Sequence, residues 1–332
     1  MNMNDDSGQI SIDFLIGFTI FMVGFIFVVT LMSGLLIGLQ SKTIDYDAVA
    51  YRTGVVLVED SGEPSVSVYA QSVDPLKQWN LLEPAQKDDI IRLGLALSKD
   101  FPNILSRAKI DRFFDQTIFS YPDDYRGKLI FTGTGTYPYY FNITLNDTAN
   151  NPLYPPIGDP YPDNHGYIKR AVFIKEPPNQ AVFDIPGTPE RVDVNLTFRD
   201  LYNPDRGPAY WIDPLNEEIK ISILTDPGVI LNNVFLSRYD AEGILTMIPG
   251  QANLHNTAPA PPYTIIFDDG SNTFINMTFP SGYFTPFADK SSRLVLSYSF
   301  SGVYLPPPVD YDYAIPDLES PLTPAILEVR VW

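Results

Sequence analysis

The sequence predicts an α+β protein: a long N-terminal transmembrane helix, then a short helical collar, then a mostly antiparallel β-sandwich head. Three observations lead there. From Phe14 to Leu39 no residue is charged, and a run of about 20 apolar residues is enough to cross a bilayer core. From Lys128 onward short stretches alternate apolar and polar residues, as in Arg191-Val192-Asp193-Val194-Asn195-Leu196, which is the period of a half-buried strand. Pro makes up 31 of 332 residues, beside 20 Tyr and 21 Phe, against a usual proline share of about 5%. So much proline breaks helices but suits many short strands joined by rigid turns.

The apolar run is longer than the roughly 7–15 residues of a secretory signal's hydrophobic region, and no A-x-A-like cleavage site follows it. It is expected to stay in the mature chain, and no second stretch approaches its length. Gly34 and Gly38 form a G-x-x-x-G within it. That spacing lets helix backbones approach closely, although glycine is also simply common in membrane helices. Just before the run stands Gly8-Gln9-Ile10-Ser11-Ile12-Asp13. A lone carboxylate at the edge of an apolar helix is costly in a membrane and is usually paired. Asp13 also falls in the first turn, where the helix dipole favours negative charge, so it either finds a cation or caps the helix.

These residues resemble the class III signal peptide of archaeal type IV pilins and archaellin-like proteins. The resemblance covers the N-terminal segment and implies cleavage by a prepilin peptidase between Gly8 and Gln9. Ser11 then becomes the third mature residue and Asp13 the fifth, and Asp13 pairs with the free amine of Gln9 in a neighbouring subunit during assembly. Two positions depart from the pattern. The leader Met1-Asn2-Met3-Asn4-Asp5-Asp6-Ser7 lacks the Lys or Arg the family usually carries, and Asp stands where Glu is commoner. The basic residues Lys42 and Arg52 follow the span, a bias that taken alone would place the C-terminal side in the cytoplasm; the motif and the character of the head override it here.

Ile44, Ala48, Val49, Tyr51, Val55, Val56 and Val58 carry the apolar pattern beyond the span, until Gly62 and Pro64 stop it. A continuous helix from about Gln9 to Glu59 would be about 75 Å long at about 1.5 Å per residue. Ala48-Val49-Ala50-Tyr51-Arg52-Thr53-Gly54 and Arg92-Leu93-Gly94-Leu95-Ala96 also resemble blocks of uncharacterised archaeal pilin-like proteins. Arg52 either pairs with a carboxylate of the head or stays solvated. The expected division is a cleaved leader over 1–8, a transmembrane and stalk helix over 9–62, a linker and helical collar over 63–126, and an extracellular head over 127–332.

Within the collar, residues 63–82 read as a linker. Pro84 to Leu97 reads as a helix with Ile90, Leu93 and Leu97 on its apolar face, and Asn103 to Phe114 as a second. Strands are expected at 128–132, 138–145, 167–175, 190–199, 218–225, 263–267, 273–279, 292–300 and 325–332, separated by proline-rich stretches. Asp268-Asp269-Gly270 suits a hairpin turn, and the last strand is expected to pair up to Trp332. Four N-x-Thr sequons, at Asn142, Asn146, Asn195 and Asn276, are candidate glycosylation sites of an exported domain.

Composition narrows the chemistry. A net charge of −18, from 22 Lys+Arg against 40 Asp+Glu, argues against nucleic acid as a partner. Without cysteine there is no disulfide, thiolate metal site or Cys nucleophile. No G-x-S-x-G, P-loop, G-x-G-x-x-G or H-E-x-x-H occurs. His165 and His255 read as turn or surface histidines. Asp123-Asp124, Asp268-Asp269 and Asp310-Tyr311-Asp312 match no defined Ca²⁺ loop and read as solvated acidic turns. No catalytic, cofactor or metal residues are expected. The partners expected are the prepilin peptidase, other pilin subunits, the membrane and a surface or carbohydrate ligand. The chain reads as a pilin-like surface filament subunit of minor, tip or adhesive type. Its rivals are a membrane-anchored adhesin that never polymerises and an anchored extracellular hydrolase.

Overall fold

A computed structural model describes residues 7–40, 45–64, 78–129, 139–178, 180–185, 187, 190–226, 229–240, 242–248, 264–267, 274–301, 309–314 and 318–332. The chain divides into two compact units, Met1–Tyr46 and Asp47–Trp332.

The first unit is helix α1, Ser7–Gln40. Its side chains from Phe14 to Met32 are apolar on every side, and none of that span is buried. A helix that is hydrophobic all round is at home in a core or a membrane. The two hydroxyls in the span bond back along the helix, Thr19 Oγ1 to Leu15 O and Thr30 Oγ1 to Ile26 O, each at 2.7 Å. Neither donor is left for lipid to satisfy. Asp45 is not helical, and α2 begins at Tyr46 and runs to Glu59. The single helix expected from Gln9 to Glu59 is therefore interrupted at Asp45, a residue type that favours helix starts; residues 41–44 lie outside the described set.

After α2 come β1 (Glu63–Pro64), β2 (Ile90–Arg92), β3 (Ile104–Ser106) and the short helices α3 (Arg107–Phe114) and α4 (Asp123–Leu129). Strands β4 (Phe141–Asp147), β5 (Ile157–Gly158), β6 (Gly166–Lys175), β7 (Ala181–Ile185) and β8 (Arg191–Thr197) lead to a helical turn, α5 (Phe198–Leu201). Then follow β9 (Ile219–Thr225), β10 (Ile230–Tyr239), β11 (Leu245–Met247), β12 (Thr264–Phe267), β13 (Phe274–Phe279), β14 (Arg293–Ser301), β15 (Val309–Asp312) and β16 (Leu322–Val331). Besides the β1–β2 pair, three sheets form, ordered β3-β6-β16-β4-β5, β11-β10-β14-β8-β15 and β12-β13-β9-β7.

The sheets of the head are mixed: antiparallel pairs predominate, but the sheets are not purely antiparallel. Each of the three carries one parallel pair at an edge: β3 with β6, β15 with β8, and β7 with β9. Parallel neighbours need a crossover connection, and each of these pairs is separated in the chain by other elements. The second and third sheets bury Val194, Leu236, Leu296, Ile221, Ile223 and Met277 in one shared core. The first sheet receives α2. A Cβ on Gly54 would come within 2.9 Å of Ile168 Cγ2, so glycine sets how closely the helix lies on β6.

The helix expected from Pro84 to Leu97 is instead a 3₁₀ turn at Pro84–Asp89, followed by β2 and an extended segment. The cause is the end of α2, whose last carbonyls lack intrahelical donors. Leu95 N donates to Leu57 O (2.9 Å), Ala96 N to Asp60 O (3.1 Å) and Asn103 N to Val58 O (3.0 Å). An extended strand can supply these bonds and a helix cannot. At Gly94 the two backbones nearly touch: a Cβ there would lie 2.2 Å from Asp60 O. Gly94→Ala is therefore expected to lower stability by about 3 kcal/mol, at the upper end of overpacking costs. Gly127→Ala, on α4 with open space around it, should gain up to about 1 kcal/mol from helix propensity. Urea midpoints of the two variants against wild type check this.

Other expectations shift as well. The supposed linker 63–82 holds Trp79, fully buried, with its indole N–H donating to Ser61 O (3.1 Å) and Gly94 O (3.0 Å). The helix expected at Asn103 starts only at Arg107, because 104–106 pair with β6. At 128–132, Lys128 and Leu129 end α4 rather than open a strand, and the remainder lies outside the described residues. The strands at 138–145, 167–175, 190–199, 218–225, 263–267, 273–279, 292–300 and 325–332 appear within a few residues of their expected places. Trp332 exchanges two backbone bonds with Tyr140 (2.9 and 3.0 Å). β12 and β13 pair antiparallel; the turn at 268–270 lies outside the described residues.

Candidate functional sites

Gly8, Gln9, Ser11 and Asp13 all fall in the first two turns of α1. The structure thus brings the N-terminal motif and the apolar span into one helix.

The four sequon asparagines lie in strands. Asn142 and Asn146 are buried, and Asn142 Nδ2 donates to Asp159 O (3.1 Å). Asn195 and Asn276 are half-buried. Asn195 Nδ2 donates to Tyr311 O (3.3 Å) while its Oδ1 accepts from Arg293. Asn276 Oδ1 accepts from Gln180 (2.9 Å) and Ser222 (2.6 Å). Asn142 and Asn146 are thus the least accessible of the four.

The acidic pairs serve local structure. Asp124 accepts from Lys87 Nζ (2.8 Å) and Ser120 N (2.7 Å), and Asp312 from Ala314 N (2.9 Å). Asp268, Asp269 and His255 lie outside the described residues. Among the described residues, no group of three His, Asp or Glu side chains converges as a metal site. His165 bonds through Nδ1 to Pro162 O (2.6 Å).

Two buried polar centres were not legible in the sequence. Asp213, buried, accepts from Gln78 Nε2 (2.9 Å), Asn216 Nδ2 (2.9 Å), Leu215 N (3.1 Å), Asn216 N (3.2 Å) and the Tyr202 hydroxyl. Its own N–H donates to Glu217 Oε2 (3.1 Å), and Glu217 Oε1 takes Lys175 Nζ at 2.8 Å. Lys175 closes β6 in the first sheet, Tyr202 follows β8 of the second, and Glu217 precedes β9 of the third. One carboxylate network thereby joins all three sheets.

The second centre is Lys109 on α3, fully buried, whose Nζ donates to Ala96 O (2.8 Å) and Ser61 O (3.0 Å). Burial pushes its pKa down to about 8, with Asp213, Glu217 and Asp60 opposing. Below about pH 8 the amine is charged in folded and unfolded chains alike, and its desolvation counts fully against folding. Between about 8 and the ordinary 10.5 the folded chain has lost the proton while the unfolded chain still binds it, so stability rises with pH. The buried phenols of Tyr125 and Tyr298, pushed up by burial, act the other way above about pH 10. Comparison with Lys109→Met isolates the lysine: from pH 7.5 to 9.5 wild type should gain about 2 kcal/mol relative to the variant, read from urea unfolding.

A third feature lies at the end of the first sheet where β6 begins, β16 ends and β4 begins. Arg330 stacks over Tyr161 and Tyr167, its Cζ 4.3 and 5.1 Å from their ring centres. Its guanidinium also pairs with Glu328 (2.6 Å), which accepts from the Tyr167 hydroxyl (3.0 Å) and lies 3.4 Å from Lys169 Nζ. These three donors hold the Glu328 carboxyl below its usual range despite burial. The His165 ring lies 4.8 Å from Tyr161. Beside them Tyr140 stacks on Trp332 (6.4 Å) under Arg126 (5.4 Å). The sequence marks Arg330, Tyr161 and Tyr167 as nothing unusual, because strand register alone brings them together.

Fold and sites thus define a protein with one N-terminal apolar helix, compatible with a membrane anchor, joined to a mixed-sheet unit. A family model described as a family of unknown function, DUF7287, matches residues 5–82, the stretch that holds α1, α2 and the segment to Trp79. No curated protein and no solved structure matches the chain.

Proposed function

We propose that this chain is a pilin-like subunit of a surface filament, of the archaeal type, in a minor, tip or adhesive position. α1 is its single membrane span and later its place in the filament core. The unit from Asp47 onward is the external, sandwich-type head. The observation that carries this reading is the position of Gly8-Gln9, Ser11 and Asp13 at the start of an apolar helix whose two described threonine hydroxyls, Thr19 and Thr30, both bond back along the helix. Such a helix exchanges lipid for sister helices at little cost, since packing rather than hydrophobic burial drives association in a bilayer. Cleavage after Gly8 by a prepilin peptidase frees the Gln9 amine, and Asp13 of a neighbour gains a cation that offsets its desolvation. The close seating of α2 on β6 at Gly54 supports the reading, because it ties the chain leaving the anchor to the sheet.

N-terminal sequencing of the protein from its native membrane and from sheared filaments tests this. A mature chain starting at Gln9 and present in filaments is expected. A chain still starting at Met1 would overturn the reading. A trimmed chain found only in membranes would replace the filament subunit with an anchored adhesin that does not polymerise.

A further inference from the structure

The aromatic side chains exposed on the second unit are not scattered. Those described and more than about a third exposed are Tyr51 (56%), Tyr140 (47%), Tyr161 (47%), Tyr167 (41%) and Phe173 (47%). All but Phe173 gather at one end of the first sheet. Tyr167 opens β6, Tyr140 precedes β4 and Tyr161 stacks under Arg330. Tyr51 lies one turn along α2 from Asp47, on the same helix face. Trp332, half-buried, completes the group through its stack on Tyr140.

The same end is where the chain enters this unit. Asp47 Oδ1 accepts the Tyr167 N–H at 3.1 Å, and Asp47 follows Gln40, the last residue of α1, by seven positions. A tether of that length spans at most about 25 Å. Tyrosine and tryptophan pair an apolar ring with a polar tip and concentrate in the headgroup zone of a bilayer. Arginine suits that zone when its charge can reach polar partners. Here Arg330 and Lys169 share Glu328, so this cluster of two cations and one carboxylate is not acidic, on a protein of net charge −18.

We infer that this end of the sheet unit is a lipid-facing surface: Tyr51, Tyr140, Tyr161, Tyr167 and Trp332 rest in the headgroup layer of the membrane that holds α1. The inference depends on the membrane anchoring of α1, and its test separates the two. Full-length protein is placed in phosphatidylcholine vesicles whose acyl chains are brominated near the headgroup. Of the three tryptophans, Trp79 (0%) and Trp211 (5%) are shielded by the fold. Bromolipid should therefore remove about a third of the wild-type emission through Trp332 alone, given the headgroup depth expected for such rings. Trp332→Phe should lose almost none. Protein that floats with the vesicles but is quenched no more than Trp332→Phe overturns the lipid-facing surface and leaves the anchor standing. Protein that fails to float overturns the anchor and this inference with it.

Discussion

Cells making the Gly8→Val variant are expected to accumulate a chain that keeps its first eight residues and enters no filament. The pilin-like reading requires a peptidase to cut beside Gly8, where the substrate backbone must fit a tight site at the membrane surface. Glycine allows that approach; a β-branched side chain at the same position obstructs it and restricts the backbone. The effect should be close to all-or-none, because no other Gly-Gln junction precedes the apolar run. Immunoblots should show one band larger than mature wild type, still in the membrane fraction, since Phe14–Met32 is unchanged. Asp13→Ala separates cleavage from assembly: it should be trimmed normally and yet be depleted from sheared filaments. Normal trimming of Gly8→Val would remove the motif from the argument. Normal filaments from Asp13→Ala would show that the carboxylate has no assembly role.

The second large effect concerns the joint between the sheets. Asp213→Ala removes the acceptor of five donors at once, among them the side chains of Gln78, Tyr202 and Asn216. Buried donors left without partners cost about 1–3 kcal/mol each, and breaking a buried charged network about 3–5 kcal/mol. A loss of about 3–5 kcal/mol is a large share of the 5–15 kcal/mol typical of a domain. The variant should melt at a clearly lower temperature and be cut by protease near Gln78, whose side chain donates to Asp213 (2.9 Å) and whose backbone N–H donates to Asn216 Oδ1 (3.0 Å), itself held by Asp213. Asp213→Asn keeps the shape and one acceptor oxygen, and should recover part of the loss. If Asp213→Ala melts as wild type does, the network does not hold the sheets together.

Legibility followed the range of the interactions. β8 alternates apolar and polar residues over its seven positions, and β6, β14 and β16 are runs of nine or ten residues rich in apolar side chains; these were readable because each signal is contained in its own segment. β10 was not expected: Asn232-Asn233 interrupts its apolar run, and the register shifts there between Leu231 and Asn233. β7 was hidden between Pro177 and Pro189 and reads as a strand only beside β9. The segment from Ile90 to Leu97 was misread as helix because Ile90, Leu93 and Leu97 have helical spacing. The unpaired carbonyls at the end of α2 decided otherwise, and no local window contains them. The sequons were legible as motifs, but burial decides whether their amides are free, and burial is a property of the packed sheet.

By itself the sequence determined the apolar helix from Phe14 to Met32, the motif from Gly8 to Asp13 before it, and a proline-rich, strand-dominated remainder. Each follows from side-chain transfer and local periodicity, which act within a few residues. Tertiary structure alone decided the direction of the edge strands, the extended path of 93–96 over the end of α2, the burial of Lys109 and Asp213, and the gathering of Tyr140, Tyr161, Tyr167 and Arg330. These depend on which distant segments share hydrogen bonds and exclude water from one another, and that pairing is settled only when the whole unit closes.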